Sequence, residues 1–344
     1  MKKLILMPLW ILQIFTQTKS FKKNLLLGNR WLNRMGLHVL RLILAHSVMR
    51  WRMFLLSGGI RAEHKQMFFR DGYILITDFL DQDQAMRLRS EIQNADGEVR
   101  ECIQGDTLTH RIMLDRETLD KLPECRTALD HPYLLKLLKF ASGKNRPPVS
   151  FIQTIKNHYV NGDPDPQKNL HSDTFHPTMK SWYFIDDVDE TNGPFTYVPG
   201  SHRLTLARLK WEYHKSIQIS EGADRYSANG SLRLTGEDAA AMSLAPAQSL
   251  KVPANTLVIA NTHGFHCRGE ASERSTRSEL WTISRTSPFN PFPGIDTPWF
   301  NDLQVRALDA WRRYEDRKAG QRGNMSSWHV VKARNTIAGE GEQG

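Results

Sequence analysis

Cysteine is scarce in this sequence and forms no pattern that would pair it. Of 344 residues only three are cysteine, namely Cys102, Cys125 and Cys267, and no two of them form a Cys-x-x-Cys motif. An odd number of widely spaced cysteines indicates neither a disulfide framework nor a zinc knuckle. We therefore expect a fold stabilised by its hydrophobic core, and a reducing cytoplasm is the compartment that suits this composition.

Negative charge is absent from the beginning of the chain. Residues 1–60 contain ten Lys or Arg and no Asp or Glu. The rest of the chain carries 36 of the 46 basic residues and all 37 acidic ones, so the net charge of +9 belongs to the N-terminal segment. A body that is almost neutral does not have the charge of a nucleic-acid-binding protein, and we expect no nucleic-acid partner.

Long apolar runs are lacking as well. Residues 4–15, LILMPLWILQIF, form a short apolar stretch behind two lysines. A membrane-spanning helix needs about 20 such residues. The following TQTKSFKKN contains no small-x-small cleavage site, so a cleaved secretory signal is the weakest interpretation.

Residues 25–57 have the pattern of an amphipathic helix. At about 100° per residue, Arg30, Arg34, Arg41 and Arg52 fall within about 40° of one another, and apolar residues fill much of the remainder. A basic stripe beside an apolar face is typical of a helix lying in an anionic membrane surface. We predict that residues 1–60 are a membrane-associating segment that holds the protein on the inner face of the cytoplasmic membrane. The alternative is a helical layer packed on the domain, with its arginines solvated.

The remaining chain predicts one domain over residues 61–300. Its first part is mostly helical in pattern, with a short strand at Tyr73–Ile76 and Asp81 as the N-cap of a helix. Residues 150–290 contain short β-prone runs separated by Gly, Pro, Asn and Asp: SFIQTI, KSWYFI, FTYV, TLVIA and ELWTIS. An insertion at about 204–250 interrupts this β core, and residues 301–344 are expected to form a C-terminal helix and a flexible tail. The predicted fold class is mainly β with flanking helices around a jelly-roll core, also called a double-stranded β-helix.

The residues that suggest chemistry begin with the segment NLHSD at 169–173. In an extended strand residues i and i+2 point the same way, so His171 and Asp173 present an imidazole and a carboxylate side by side. A histidine from the later segment NTHGFHCRG (261–269) can complete a set of two histidines and one carboxylate on one face of an iron ion. The opposite positions then remain open for a chelating co-substrate and O2. Arginine suits the far carboxylate of such a co-substrate, and Arg277 lies eleven residues after His266.

With these motifs the chain resembles the phytanoyl-CoA dioxygenase family of Fe(II)- and 2-oxoglutarate-dependent oxygenases. The resemblance covers roughly residues 64–287. It rests on the entry segment MFFRDGYILITDFL, the HSD motif, a tryptophan with Asn-Gly ten residues later, the run TYVPGSH, and the histidine followed by an arginine after eleven residues. Fe(II) as cofactor, with 2-oxoglutarate and O2 as co-substrates, follows from the resemblance.

The resemblance also assigns residues. His171, Asp173 and His266 are similar to the family's iron ligands, Arg277 matches the arginine that holds 2-oxoglutarate, and Trp182 matches an aromatic residue that lines that pocket. His263 is an alternative distal ligand, because it also has an arginine eleven residues later, Arg274. We prefer His266 because Arg277 adjoins the β-prone run SELWTIS.

Two single residues bear on specificity. Where the family often has a serine two residues after the distal histidine, this sequence has Arg268, which could face an anionic substrate. The retained carboxylate Asp173 argues against the halogenating relatives, which have a small residue there.

The predicted activity is hydroxylation of an unactivated C–H bond in a lipid-linked anionic substrate at the membrane surface. The combination of an intact core and a basic segment resembles the bacterial hydroxylases of the Kdo sugar of lipid A in lipopolysaccharide. Two alternatives stay open. One is a soluble hydroxylase of a small metabolite or acyl thioester, and the other is a membrane-bound scaffold without catalytic activity.

Overall fold

The computed structural model of the chain describes residues 6–331, which contain twelve helices and eleven strands longer than an isolated bridge, besides two short 3-10 turns. The helices are α1 (Met7–Ile14), α2 (Arg30–Arg34), α3 (Leu37–Leu55), α4 (Ala62–Arg70), α5 (Gln82–Gln93), α6 (Arg116–Lys121), α7 (Pro123–Leu129), α8 (Pro132–Ser142), α9 (Leu206–Gln218), α10 (Arg225–Ala228), α11 (Gly236–Ala241) and α12 (Pro298–Gly320). The strands are β1 (Tyr73–Ile76), β2 (Val99–Gln104), β3 (Thr107–Met113), β4 (Val149–Asn157), β5 (Met179–Phe184), β6 (Phe195–Tyr197), β7 (Gln248–Ser249), β8 (Thr256–Asn261), β9 (His266–Arg268), β10 (Ser275–Ser284) and β11 (His329–Val331).

Two antiparallel sheets form the centre of the protein. The larger has the strand order β1-β8-β5-β10-β4-β3-β2-β11, and the smaller has the order β7-β6-β9. Aromatic side chains fill the space between them, with Trp182, Trp281 and Phe151 from the larger sheet and Phe195 and Tyr197 from the smaller one. The predicted jelly roll is confirmed, although the flanking helices contain more residues than the strands.

Local signals in the sequence account for several element boundaries. The Asp81 carboxylate accepts a hydrogen bond from the Gln84 backbone N–H at 2.9 Å, so Asp81 caps α5 as predicted. The strand at Tyr73–Ile76 is also present, paired with β8 at the edge of the larger sheet.

The sheet extends beyond the predicted core range of 150–290. Strands β1, β2 and β3 lie before it, and β2 and β3 form a hairpin that the sequence pattern did not reveal. Gly105 makes the hairpin turn with φ of +59°, where a Cβ atom would lie 2.3 Å from the Asp163 carbonyl oxygen. The insertion at 204–250 holds α9, α10 and α11, and the predicted flexible tail lies outside the described residues.

The N-terminal segment packs on the domain. Met49, Met53 and Ile60 join the same core as Phe68, so residues 6–60 are a layer of the domain rather than a detached arm. Within the described residues, no helix is both long and apolar enough to cross a membrane.

The predicted basic stripe is wrong for two of its four arginines. Arg41 is 4% exposed and Arg52 is 2% exposed. The Arg41 guanidinium donates to the carbonyl oxygens of Ile14, the last residue of α1, at 2.7 Å and of Thr18, which follows that helix, at 2.8 Å. Burial lowers the pKa of Arg41 to about 10. A helical wheel shows which residues share a face, but it does not show whether that face points to water.

Candidate active site

His171 and His266 lie opposite each other on neighbouring backbone segments. The N–H of His171 donates to the carbonyl oxygen of His266 at 2.9 Å, and the N–H of His266 donates to that of His171 at 3.0 Å. Residues that exchange both backbone hydrogen bonds in an antiparallel pair carry their side chains on the same face. The centroids of the two imidazole rings are 4.7 Å apart.

A second contact fixes the orientation of each ring. Nδ1 of His171 lies 2.7 Å from the Asn169 carbonyl oxygen, and Nδ1 of His266 lies 2.9 Å from that of Gly264. A carbonyl oxygen only accepts, so Nδ1 carries the proton in both rings and Nε2 presents a lone pair. Burial lowers the pKa of both histidines, that of His266 to about 4, which keeps the rings neutral and able to bind a metal.

Asp173 supplies the carboxylate. Its Oδ1 lies 3.7 Å from Nε2 of His171 and 3.8 Å from Nε2 of His266. Burial alone would raise the pKa of Asp173, but the Lys180 ammonium at 2.7 Å from Oδ2 and the two imidazoles hold it well below its usual range. The carboxylate is therefore ionised with one oxygen turned to the histidines.

These three side chains fit a divalent metal ion. Their ligand atoms all lie within 4.8 Å of one another. Nε2 of His266 is buried without a hydrogen-bond partner in the described part of the chain, an arrangement that is costly unless a ligand occupies it. Two neutral imidazoles and one carboxylate are the donor set that suits non-haem Fe(II).

Another group of possible ligands, Asp106, His158 and Glu270, is a weaker candidate. Lys168 Nζ already lies 2.7 Å from Asp106 and 2.8 Å from Glu270, so a cation occupies the place between the carboxylates. This cluster is explained as an ion-pair network.

His263, the alternative distal ligand, lies outside the cluster of His171, Asp173 and His266. Its Nδ1 bonds the Thr174 carbonyl oxygen at 3.0 Å, and its ring packs edge-on against His46 at 4.4 Å between centroids. The structure therefore brings His266, and not His263, to the two residues of the HSD motif.

Arg277 and Trp182 line the same cavity as the three possible metal ligands, and that cavity has a volume of about 440 Å³. Arg277 donates through Nε to Glu279 at 2.9 Å and through Nη1 to the carbonyl oxygens of Asn192 and Gly193. Within residues 6–331 its Nη2 has no hydrogen-bond partner, so one side of the guanidinium stays free. Trp182 packs against Phe195, with ring centroids 4.3 Å apart.

The cavity wall is strongly basic. Seven of its lining residues are Lys or Arg, and among the described lining residues Asp173 is the single carboxylate. Arg268 is less available than predicted, because its Nη1 bonds the buried Asp165 carboxylate at 2.7 Å. The basic residues of the wall are Lys19, Arg111, Lys180, Arg233, Arg268, Arg277 and Arg285.

Sequence reasoning missed several of these cations. Lys180 could have been found, since it precedes Trp182 by two residues and β-strand periodicity places both on one face. Lys19 could not have been found, because no motif connects it to the site. Its Nζ donates to the Asp173 carbonyl oxygen, and burial lowers its pKa to about 8.

Comparison with known proteins agrees with this architecture. Residues 68–234, just under half of the chain, match the family model "Phytanoyl-CoA dioxygenase (PhyH)". This segment includes His171, Asp173 and Trp182 but ends before His266 and Arg277. No curated protein matches the sequence.

Three solved structures are similar to about two thirds of this chain. The epimerase SnoN in complex with Fe3+, α-ketoglutarate and nogalamycin RO is 16% identical over 67% of this chain and 83% of its own, with a TM-score of 0.44. The carbocyclase SnoK from nogalamycin biosynthesis is 18% identical over 66% and 84%, with a TM-score of 0.42. HygX from Streptomyces hygroscopicus with nickel, 2-oxoglutarate and hygromycin B bound is 13% identical over 65% and 86%, with a TM-score of 0.39.

A jelly roll with two histidines and a carboxylate converging beside an arginine is the architecture of the Fe(II)- and 2-oxoglutarate-dependent oxygenases. Within that class, residues 68–234 match the model of the phytanoyl-CoA dioxygenase family. The protein is accordingly a dioxygenase that uses Fe(II), 2-oxoglutarate and O2.

Proposed function

We propose that His171, Asp173 and His266 hold the Fe(II) of a hydroxylase that acts on a lipid-linked anionic substrate at a membrane surface. The observation that carries the metal assignment is the pair of imidazoles with both Nδ1 atoms engaged and both Nε2 atoms within 3.8 Å of one carboxylate oxygen. When bound, the iron with 2-oxoglutarate and O2 supplies the oxidising chemistry that inserts oxygen into a C–H bond, with release of succinate and CO2.

Arg277 is the residue we assign to 2-oxoglutarate. Glu279 and two backbone carbonyl oxygens hold its guanidinium in place, which leaves Nη2 on the cavity side for a carboxylate. Trp182 is an apolar lining residue of the same cavity and is 6% exposed. A rigid cation in the same cavity as the metal ligands orients a dicarboxylate without taking part in the oxidation.

The membrane assignment rests on an exposed apolar surface, which we call the N-terminal apolar face. It comprises the outward side chains of α1 and α3, where for example Leu12 is 66% exposed and Phe54 is 69% exposed. On α3 the outward side is mostly apolar, which is unusual for a helix facing water. The buried side is mixed, with His38, Arg41 and Arg52 among Leu42, Ala45, Met49 and Met53. The members of this face are Leu9, Ile11, Leu12, Phe15, Leu40, Ile43, Leu44, Trp51, Phe54 and Leu55.

Exposed cations lie on the same N-terminal layer as this apolar face, and they favour an anionic bilayer as the surface that it binds. Lys22, Lys23, Arg34 and Arg50 are exposed on the same N-terminal layer. Each Lys or Arg near an anionic leaflet contributes about 1 kcal/mol, and each buried methylene about 0.8 kcal/mol. The membrane-associating segment therefore binds chiefly through its apolar side chains, with these exposed cations adding to the attraction.

An anionic substrate is supported by the basic wall of the cavity, which receives Lys19 from the same N-terminal layer. The Kdo sugar of lipid A combines a carboxylate, a sugar ring and a lipid anchor, and it is our specific proposal. A small metabolite or acyl thioester remains the alternative substrate class.

Mass spectrometry tests the substrate. Total lipid and lipopolysaccharide from cells with and without the gene should differ by the mass of one oxygen atom in the Kdo-containing fraction. A one-oxygen difference confined to a soluble metabolite would replace the lipid substrate with the alternative.

A further inference from the structure

We call the cavity that is lined by His171, Asp173 and His266 the metal-side cavity. A second cavity of about 470 Å³ adjoins it. It lies between α12, the ends of β4 and β10, and the segment 326–328. Five residues line both cavities, so the two lie side by side: Arg111, Trp281, Ile283, Arg285 and Trp328. We call this second cavity the distal cleft.

Arg111 lies at the boundary between the metal-side cavity and the distal cleft, since it lines both. Its guanidinium carbon lies 3.7 Å from the centre of the Trp281 ring and 4.3 Å from that of Trp328, so the side chain is held between two indoles. Nε donates to the Gln153 side-chain oxygen at 2.8 Å. Burial lowers the pKa of Arg111 to about 9, with the positive charges of Arg312 and Arg268 adding to the shift.

Two other cations of the distal cleft, Lys144 and Arg312, also have uncharged partners. Lys144 donates to the Gln304 side-chain oxygen, and burial lowers its pKa to about 8. Nη1 of Arg312 lies 3.8 Å from the Met113 sulfur, and its guanidinium carbon is 5.0 Å from the centre of the Phe151 ring. Among residues 6–331 none of these three cations forms a salt bridge.

Carboxylates near the distal cleft do not neutralise the positive charge of its cations. Glu315 is one of its lining residues. Asp309, Glu98 and Asp316 favour the charged form of Arg312, but burial and Arg100 outweigh them and lower its pKa. Partly buried cations without an ionic partner are costly in the free protein, and an anionic ligand removes that cost.

We propose that the distal cleft is an anion subsite, which binds a phosphate or carboxylate group on the part of the substrate remote from the oxidised carbon. The inference rests on the proposed function, because it assigns the metal-side cavity to the oxidised end. Arg111, Arg312 and Lys144 supply the charge, while Trp281, Trp328 and the half-exposed Trp311 offer ring faces beside it. A substrate with a ring and an anionic group fits this chemistry, whether the anion belongs to a lipid head group or to a free metabolite.

The test uses glucose 1-phosphate as the probe, with methyl glucoside as its uncharged counterpart. Affinity is measured by calorimetry on the full chain saturated with Mn(II) and 2-oxoglutarate. We expect Arg312→Gln and Lys144→Gln each to weaken glucose 1-phosphate binding about tenfold, the scale of one lost charged contact. The matched control is Arg313→Gln, since Arg313 is the exposed neighbour on the same helix and pairs with Asp309 at 2.7 Å. It should bind the probe like the wild type.

Equal effects of Arg312→Gln and Arg313→Gln, or no effect of Arg312→Gln and Lys144→Gln, would overturn the subsite. Binding to vesicles of phosphatidylcholine with phosphatidylglycerol tests whether these cations contact a lipid surface instead. The two distal variants should bind these vesicles like the wild type, because the N-terminal apolar face is elsewhere. Lost vesicle binding with unchanged probe binding would place these cations on the lipid-facing surface and refute a cleft. Failure of Mn(II) and 2-oxoglutarate to bind the wild type would instead refute the proposed function.

Discussion

His171 and His266 are joined by two reciprocal backbone hydrogen bonds of 2.9 and 3.0 Å, although 95 positions separate them in the sequence. The pairing places one imidazole beside the other, with ring centroids 4.7 Å apart. Their Nδ1 atoms are engaged by the carbonyl oxygens of Asn169 and Gly264, each two residues earlier in the chain. The geometry of the site is therefore set by the backbone of two neighbouring segments rather than by flexible side chains.

The first prediction concerns metal binding. His171→Ala and His266→Ala should each lose Mn(II) binding in calorimetry, because one histidine and one carboxylate hold the ion poorly. His263→Ala, which removes a buried histidine outside the cluster, should retain binding. Loss of binding in His263→Ala together with normal binding in His266→Ala would make His263 the distal ligand.

The second prediction concerns the co-substrate. Arg277→Ala should weaken 2-oxoglutarate binding by well over tenfold, since losing a buried charged partner costs on the order of 2–5 kcal/mol. Mn(II) affinity should change little. Arg274→Ala is the control, because Arg274 stacks on the Tyr159 ring at 4.1 Å and does not line the cavity.

Arg277→Ala leaves the fully buried Glu279 without its cation, so the variant also needs a check of folding. Arg277→Lys keeps a positive charge near Glu279 but removes the planar fork, and it should fold while still binding 2-oxoglutarate more weakly. Wild-type affinity in both variants would remove Arg277 from this role.

The third prediction concerns the membrane. Leu44→Glu with Phe54→Glu should abolish co-sedimentation with vesicles of phosphatidylcholine and phosphatidylglycerol, because burial of each such side chain contributes about 1.5–3 kcal/mol. High salt should weaken wild-type binding without eliminating it.

Leu206→Glu is the matched control for that experiment. Leu206 is 78% exposed on α9, outside the N-terminal apolar face, and its replacement should leave vesicle binding unchanged. A wild-type protein that does not bind these vesicles at low salt would contradict the membrane proposal.

The fourth prediction concerns a buried ionic network that attaches α3 to α9. Glu212 bonds Nε2 of His38 at 2.8 Å and Arg208 at 2.9 Å, and all three are buried. Burial alone would raise the pKa of Glu212, but Arg208 and His38 lower it to about 2. Glu212→Gln should lower the free energy of unfolding by about 3–5 kcal/mol at neutral pH, because the Arg208 charge remains buried and unpaired.

The pH dependence of this effect has a definite sign. The pKa of Glu212 is lower in the folded protein than in the unfolded chain, so its stabilisation is complete above the unfolded value of about 4.3 and is lost as the pH falls towards 2. The difference in Tm between wild type and Glu212→Gln should therefore shrink as the pH falls from about 4 towards 2. A difference in Tm that stays constant from pH 7 to pH 3 would contradict the role of the ionised carboxylate, and the exposed Glu273→Gln should show no such dependence.

How much of this was predictable differs from one element to another. Strands β5, β8 and β10 and the convergence of His171, Asp173 and His266 followed from strand periodicity and from the motif spacing of a known family. The β2–β3 hairpin did not, because its strands mix charged and apolar residues. The structure explains the mixture, since Arg111 turns into the cleft and Arg100 is buried against Asp316 at 2.8 Å.

The burial of arginines in the N-terminal layer was the other feature that the sequence did not predict. The pattern of residues 25–57 indicated an amphipathic helix, and the structure has α2 and α3 there, but the helical wheel placed all four arginines on one exposed basic stripe. Arg41 and Arg52 are instead inside because backbone carbonyl oxygens at the end of α1 and after β10 receive their hydrogen bonds. Such partners come from distant parts of the chain and appear only when the fold is known.

The central claim is that this site holds iron and consumes 2-oxoglutarate, and succinate formation by the purified full chain tests it most directly. With Fe(II), 2-oxoglutarate and O2, the wild type should form succinate even without its substrate, and His171→Ala and His266→Ala should form none above the protein-free control. Succinate formation by either variant at the wild-type rate would contradict the account, as would a folded wild type that forms no succinate with Fe(II) present.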